Sequence, residues 1–153
     1  MKIIFFFIGL FVSVFSYGEC PVVSPEVDAL IKRHADEVRG GEYCKYREVL
    51  KADNVEIVLY TIEGPCYKNE NSPSGSCGNN FFRNMVGVVD GKEYERVMIG
   101  GKGAFLSKNI KMVKNTIEIE GLSYSSSDAM CCPSISSSRI FKIENGSFVE
   151  VKP

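Results

Sequence analysis

The segment Asp128-Ala129-Met130-Cys131-Cys132-Pro133-Ser134 gathers a carboxylate, two thiols and a hydroxyl, between the clusters Ser125-Ser126-Ser127 and Ser136-Ser137-Ser138. Three chemistries use such groups. Thiolates at Cys131 and Cys132 would bind a metal or exchange electrons. Zinc sites ordinarily show C-x-x-C spacing with further Cys or His ligands, and a thioredoxin-like centre needs that spacing too. This chain has no C-x-x-C and a single histidine, His34. Ser134 as a nucleophile, with Asp128 close by, would have only His34 as its base, and no G-x-S-x-G elbow is present. His34 itself falls near the edge of a helical apolar stripe, where the ring packs with one nitrogen in water. No catalytic set emerges, and the chain reads as a non-enzyme without cofactor or metal.

The third chemistry is disulfide formation. Cys20, Cys44, Cys66, Cys77, Cys131 and Cys132 make an even set, as expected of an exported chain in an oxidising compartment. Sequence alone cannot choose among the pairings. Cys20 and Cys44 flank a helix and would tie its two ends together. Cys66 and Cys77 bound a polar loop and would close its base. Adjacent cysteines point apart in an extended chain, and a bond between them closes an awkward eight-membered ring. Cys131 and Cys132 are therefore expected to reach two different partners and anchor their loop to the sheet, with a bond between the neighbours left as an open alternative, especially if the other two pairs both form. Asp128 is expected to cap backbone N–H groups of that loop.

Gly100-Gly101-Lys102-Gly103 invites comparison with a phosphate-binding loop. A P-loop requires Ser or Thr after its Lys, and here Gly103 follows. Hairpins rather than a strand–loop–helix unit surround it. The segment reads as a turn that needs glycine's freedom or a close backbone approach.

These residues must be positioned by a small set of elements. Met1-Lys2 and the apolar run from Ile3 to Val12 end near Ser16-Tyr17-Gly18. That pattern is a signal peptide over 1–18, cleaved after Gly18, and the run is shorter than the ~20 residues of a membrane span. Residues 19–153 then form a single domain. Ser24 as N-cap, Pro25 at the first helical position and Gly40-Gly41 at the end delimit one helix. Its apolar residues are Val27, Leu30, Ile31, Ala35 and Val38.

From Val55 to Ile62 the chain is rich in β-branched and aromatic residues, a strand signature. A long polar loop, Gly64 to Asn80, follows it. Hairpins are then expected at Asp90-Gly91, Lys114-Asn115 and Asn145-Gly146. The sum is an α+β fold, with an N-terminal helix packed on an antiparallel meander of about six or seven strands and stapled by disulfides.

The stretch from Tyr124 through Asp128 to Cys131-Cys132-Pro133-Ser134, followed by a strand and a glycine turn, resembles the C-terminal part of small exported bacterial proteins with a D-x-x-C-C-P-S signature. Lipoproteins of the LppP/LprE type are among them. Gly100-Gly101-Lys102-Gly103 belongs to the same pattern in the non-lipidated members. The similarity covers the last third to half of the chain. Glu19 precedes Cys20 where a lipidation site needs a small residue, so the resemblance implies a bacterial envelope protein without a lipid anchor, and it brings no activity.

Charge narrows the partners. The chain has 18 basic and 19 acidic residues, and loss of Lys2 with the leader moves the net charge from -1 to -2. Neither nucleic acid nor an anionic membrane suits that balance. The expected product is periplasmic or secreted, binds another exported protein through its polar loops, and is inhibitor- or immunity-like. The alternative is a thiol-redox or metal-binding protein using Asp128, Cys131 and Cys132.

Overall fold

A computed structural model describes residues 19–68 and 70–151. The signal peptide over 1–18 lies outside the described residues. The fold is α+β, as expected, with one helix and antiparallel sheets. Among the described residues the strands number nine rather than six or seven, and they form two sheets instead of one meander.

Helix α1 (Pro25–Glu37) starts where the sequence places it. Ser24 is extended, and its hydroxyl accepts from the Val27 N–H at 3.3 Å. Glu26 and Asp28 complement the positive end of the helix. Ser24→Ala removes this cap and is expected to cost about 1 kcal/mol, measured as a lower urea midpoint with an unchanged slope. An unaltered midpoint would show that the backbone bond from Ser24 N–H to Glu56 (3.1 Å) fixes the helix start without the hydroxyl.

β1 (Gly41–Glu42), a 3-10 turn at Cys44–Tyr46 and β2 (Glu48–Ala52) precede the long central β3 (Val55–Glu63). β1 and β2 lie end to end along one edge of β3. β4 (Phe81–Val89) pairs with the other edge, and β5 (Lys92–Gly101) completes this sheet through the expected Asp90-Gly91 hairpin. The second sheet is a meander of β6 (Leu106–Val113), β7 (Thr116–Ser123), β8 (Ile135–Glu144) and β9 (Ser147–Val151). Its outer hairpins turn at Lys114 and Asn145, both at positive φ.

The layers follow from β3. Residues Ile57 to Ile62 are all buried, because the strand is covered on both faces. Ile57 and Leu59 point into the inter-sheet core with Met85, Ile99, Ile117, Ile119 and Phe141. Val58, Tyr60 and Ile62 point the other way, against Val27 and Ile31 of the helix. The result is helix on sheet on sheet, with two cores.

The Gly100–Gly103 segment is the corner between the sheets. A Cβ at Gly100 would lie 2.0 Å from the Phe105 carbonyl oxygen, and Gly101 sits at φ 148. Gly101 N–H donates to Phe105 O at 3.1 Å, and Ala104 N–H to Gly101 O at 3.1 Å. Phe105 packs over Gly121 of β7, where a Cβ would fall 2.5 Å from its ring. The segment is a turn, as read, and its tightness is what sends the chain from one sheet to the other.

Cysteines pair as Cys20–Cys44, Cys66–Cys77 and Cys131–Cys132. The first two match the expected flanks and loop base. The third corrects the expectation of separate partners: with the other four cysteines consumed, neighbours join each other. Disulfides of this kind persist in oxidising compartments. Among the described residues, no helix is long and apolar enough to cross a membrane.

Candidate functional site: a surface built from three loops

Three segments far apart in sequence meet at one end of the sandwich. The first is the β3–β4 loop. Gly64 N–H donates to Asn80 O at 2.9 Å and Cys77 N–H to Gly64 O at 3.2 Å, beside the Cys66–Cys77 bond. Gly64 is at φ 51, and a Cβ there would meet Gly75 O at 2.3 Å. Arg39 fastens the rest: its guanidinium donates to the carbonyls of Tyr67 (2.9 Å), Glu70 (2.7 Å) and Ser72 (2.6 Å). This role for Arg39 was not legible in sequence, where it is one more charged residue at a helix end. Its positive φ of 49, next to Gly40-Gly41, is the signal for a chain reversal there.

The second segment is the Gly101–Ala104 corner. Lys102 Nζ donates to Asn79 Oδ1 at 2.7 Å, which joins the corner to the first loop.

The third is the β7–β8 loop. Asp128 accepts from Ser125 N–H (2.8 Å), Ser134 N–H (2.9 Å) and Ser134 Oγ (2.9 Å). These donors, the Ser125 backbone first, hold its carboxyl down to about 2. Tyr124 OH donates to Met130 O at 2.8 Å, and Cys132 N–H to Ala129 O at 2.9 Å. Asp128 is thus the cap expected of it. The anchorage is Asp128 and Tyr124, not a cysteine tether to the sheet.

Between these segments run two adjoining grooves. One, of about 510 Å³, is lined by Asn79, Lys102, Tyr124, Met130 and Cys131. The other, of about 340 Å³, is lined by Tyr46, Glu48, Glu63, Arg83 and Ser107. Phe81 and Leu106 wall both. At the floor of the second, the buried Arg83 donates to Glu48 Oε1 (2.5 Å), Thr61 Oγ1 (3.0 Å), Ser107 Oγ (2.8 Å) and Tyr46 O. Burial works against its charge, and Glu48 favours it. Tyr46 is 62% exposed and packs against Tyr43 with ring centroids 4.7 Å apart and planes tilted by 51°. Met130 is 64% exposed.

The residues singled out for chemistry divide cleanly. Lys102 and Cys131 line one groove, and a Cβ at Gly103 would lie 3.6 Å from Met130 Cε. The two motifs, read separately in sequence, form one surface. Pro133 and Ser134 belong to the same loop. His34 does not join them. It is 7% exposed in the helix–sheet core, with Nδ1 2.7 Å from Tyr60 OH. Among the described residues, Ser134 Oγ has only Asp128 as a side-chain partner, with no imidazole base. Cys66, Glu70 and Cys77 place ligand atoms within 4.8 Å of one another, but both sulfurs are in a disulfide, which takes their thiolates out of metal chemistry.

No protein-family model, curated protein or solved structure matches this chain. The grooves and loops carry the functional reading by themselves.

Proposed function

We propose that this chain is an exported, non-enzymatic binding protein of the bacterial envelope, inhibitor- or immunity-like, which engages another exported protein through its three-loop surface. Convergence of three fastened loops supports this reading more than any other observation. Loops held on a rigid scaffold are where binding resides. Fastening them in advance lowers the ordering entropy lost on association. Exposed Met130 in the β7–β8 loop, and exposed Tyr46 on the adjoining groove above the buried Arg83, are residue types enriched at protein interfaces. The three disulfides, the leader read over 1–18 and the D-x-x-C-C-P-S resemblance support a periplasmic or secreted product. The small net charge speaks against nucleic acid as the partner.

The test places a photo-crosslinking amino acid at Met130, at Tyr46 and at Val113, in cells of the native host. Val113 is the last residue of β6, at the opposite end of that strand from the Gly101–Ala104 corner, and is 46% exposed. A discrete adduct from positions 130 and 46, with none from 113, is the expected result. Adducts of equal yield at all three positions, or none at 130 and 46, would reject the loop surface as the docking site.

A further inference from the structure

The Cys131–Cys132 pair does something that cross-linking does not explain. A disulfide stabilises chiefly by closing a loop in the unfolded chain. Cys20–Cys44 spans 24 residues and Cys66–Cys77 spans 11, whereas Cys131 and Cys132 are adjacent. Their bond closes no chain loop and adds almost nothing to global stability by this route. It is also the most accessible bond: both of its residues are exposed, whereas Cys20 is exposed but its partner Cys44 is half-buried, and Cys66 is buried beside a half-buried Cys77. Cys131 faces the groove shared by Tyr124, Met130 and Lys102. The loop does not depend on the bond, because Asp128 and Tyr124 hold it by hydrogen bonds to Ser125, Ser134 and Met130. Cleavage therefore leaves two thiols in a loop that stays folded.

We propose that Cys131–Cys132 is a thiol–disulfide exchange site whose reaction partner is a dithiol of the envelope. The partner's thiolate attacks one Sγ, and the S–S bond breaks as the other Sγ leaves as a thiolate and takes up a proton. The partner's second thiol then displaces the bound Sγ, which is protonated in turn. Two electrons and two protons pass to Cys131 and Cys132, and the partner leaves as its own disulfide. The reverse sequence reoxidises the pair. Cys131 lines the groove, so the two states present different surfaces there. This inference stands apart from the binding reading: it concerns the bond and holds whether or not a protein docks.

The experiment titrates the exported, disulfide-intact protein with dithiothreitol at pH 7. Thiols are then alkylated and mapped by peptide mass, with far-UV circular dichroism followed in parallel. Alkylation of Cys131 and Cys132 is expected at roughly tenfold lower reductant than at the other four cysteines, with no change in circular dichroism. Reduction of Cys66–Cys77 or Cys20–Cys44 at the same or lower concentration would overturn the proposal. So would reduction of the pair only as the fold is lost. The Cys131→Ser/Cys132→Ser variant checks that the loop stands without the bond. Its urea midpoint is expected to equal that of the oxidised parent, and a lower midpoint would count against the proposal.

Discussion

Glu48→Ala is expected to lower unfolding stability by about 3–4 kcal/mol, far beyond the cost of a surface ion pair. The reason is the partner it strands. The Arg83 side chain is only 8% exposed, and Glu48 is the carboxylate that neutralises it, at 2.5 Å. The other acceptors, Thr61 Oγ1, Ser107 Oγ and Tyr46 O, are neutral. A buried charge that loses its counter-ion costs about 3–5 kcal/mol. The lower part of that range applies, because Glu48 is 27% exposed and water can reach the vacated position. Removing the charge together with its partner, as Glu48→Leu/Arg83→Met, should cost less than Glu48→Ala alone, since buried pairs are often replaceable by apolar residues of similar volume. Some loss remains in the double variant, because Thr61 and Ser107 lose a donor. Urea unfolding of the single and double variants measures the difference. A double variant less stable than Glu48→Ala would show that Arg83 acts mainly as a donor to its neutral partners.

The same salt bridge illustrates which parts of this fold were legible in the sequence. β3, the β4–β5 hairpin and both outer hairpins of the second sheet carried their own signals: β-branched runs, Asp90-Gly91, and Asn145-Gly146. The helix carried a cap and a stripe. β2 was missed because Glu48-Val49-Leu50-Lys51-Ala52 is a short, half-buried edge strand with little alternation, although Asp53, at φ 43, marks its hairpin turn. β1 is two residues of Gly and Glu, and no local pattern announces it. The division into two sheets was encoded in two places that read differently in isolation. Unbroken burial from Ile57 to Ile62 requires cover on both faces of β3, which one helix and one meander cannot supply. The tight corner at Gly100–Gly103 supplies the change of sheet. It is a backbone approach to Phe105, and nothing near it in sequence says what the glycines avoid.

The candidate surface was legible in its parts and not in its assembly. Asp128 as a cap and the disulfide at the base of the β3–β4 loop follow from residue type and spacing. The meeting of Lys102 with Asn79, and of Gly103 with Met130, depends on how the sheets stack. The adjacent cysteines were the hardest case. Local geometry argues against their bond, and the outcome was decided elsewhere, by four cysteines already paired.

His34 shows how a residue without a catalytic role still shapes behaviour. It lies in the helix–sheet core, facing Tyr60 on β3, with Arg96 on β5 and Glu37 on its own helix as the nearby charged groups. Burial, aided by the positive Arg96, pulls its pKa from 6.5 to about 4, and the Glu37 carboxylate offsets this only in part. The neutral ring shares this bond with the Tyr60 hydroxyl, its tautomer setting which group donates, and burial holds the phenol protonated by raising its pKa.

The sign of the pH effect follows. Above pH 6.5 the ring is neutral in both folded and unfolded chains and contributes no pH dependence. Between pH 6.5 and pH 4 the unfolded chain takes up a proton that the folded chain refuses, so stability falls as pH falls. The full loss is about 3 kcal/mol, complete below pH 4. Carboxylates such as Glu37 and Glu56, whose pKa values are lowered by Arg96 and by Ser24 and Lys51, also titrate on the acid side and add to the slope. A comparison with His34→Gln separates the contributions, since glutamine keeps a hydrogen-bonding group for Tyr60 and does not titrate. Between pH 7 and pH 4 the native chain is expected to lose about 3 kcal/mol more than the variant, read from urea unfolding at both pH values. Parallel losses in the two proteins would mean that the folded ring takes its proton as readily as the unfolded one. The 2.7 Å bond to Tyr60 would then be donated by an imidazolium.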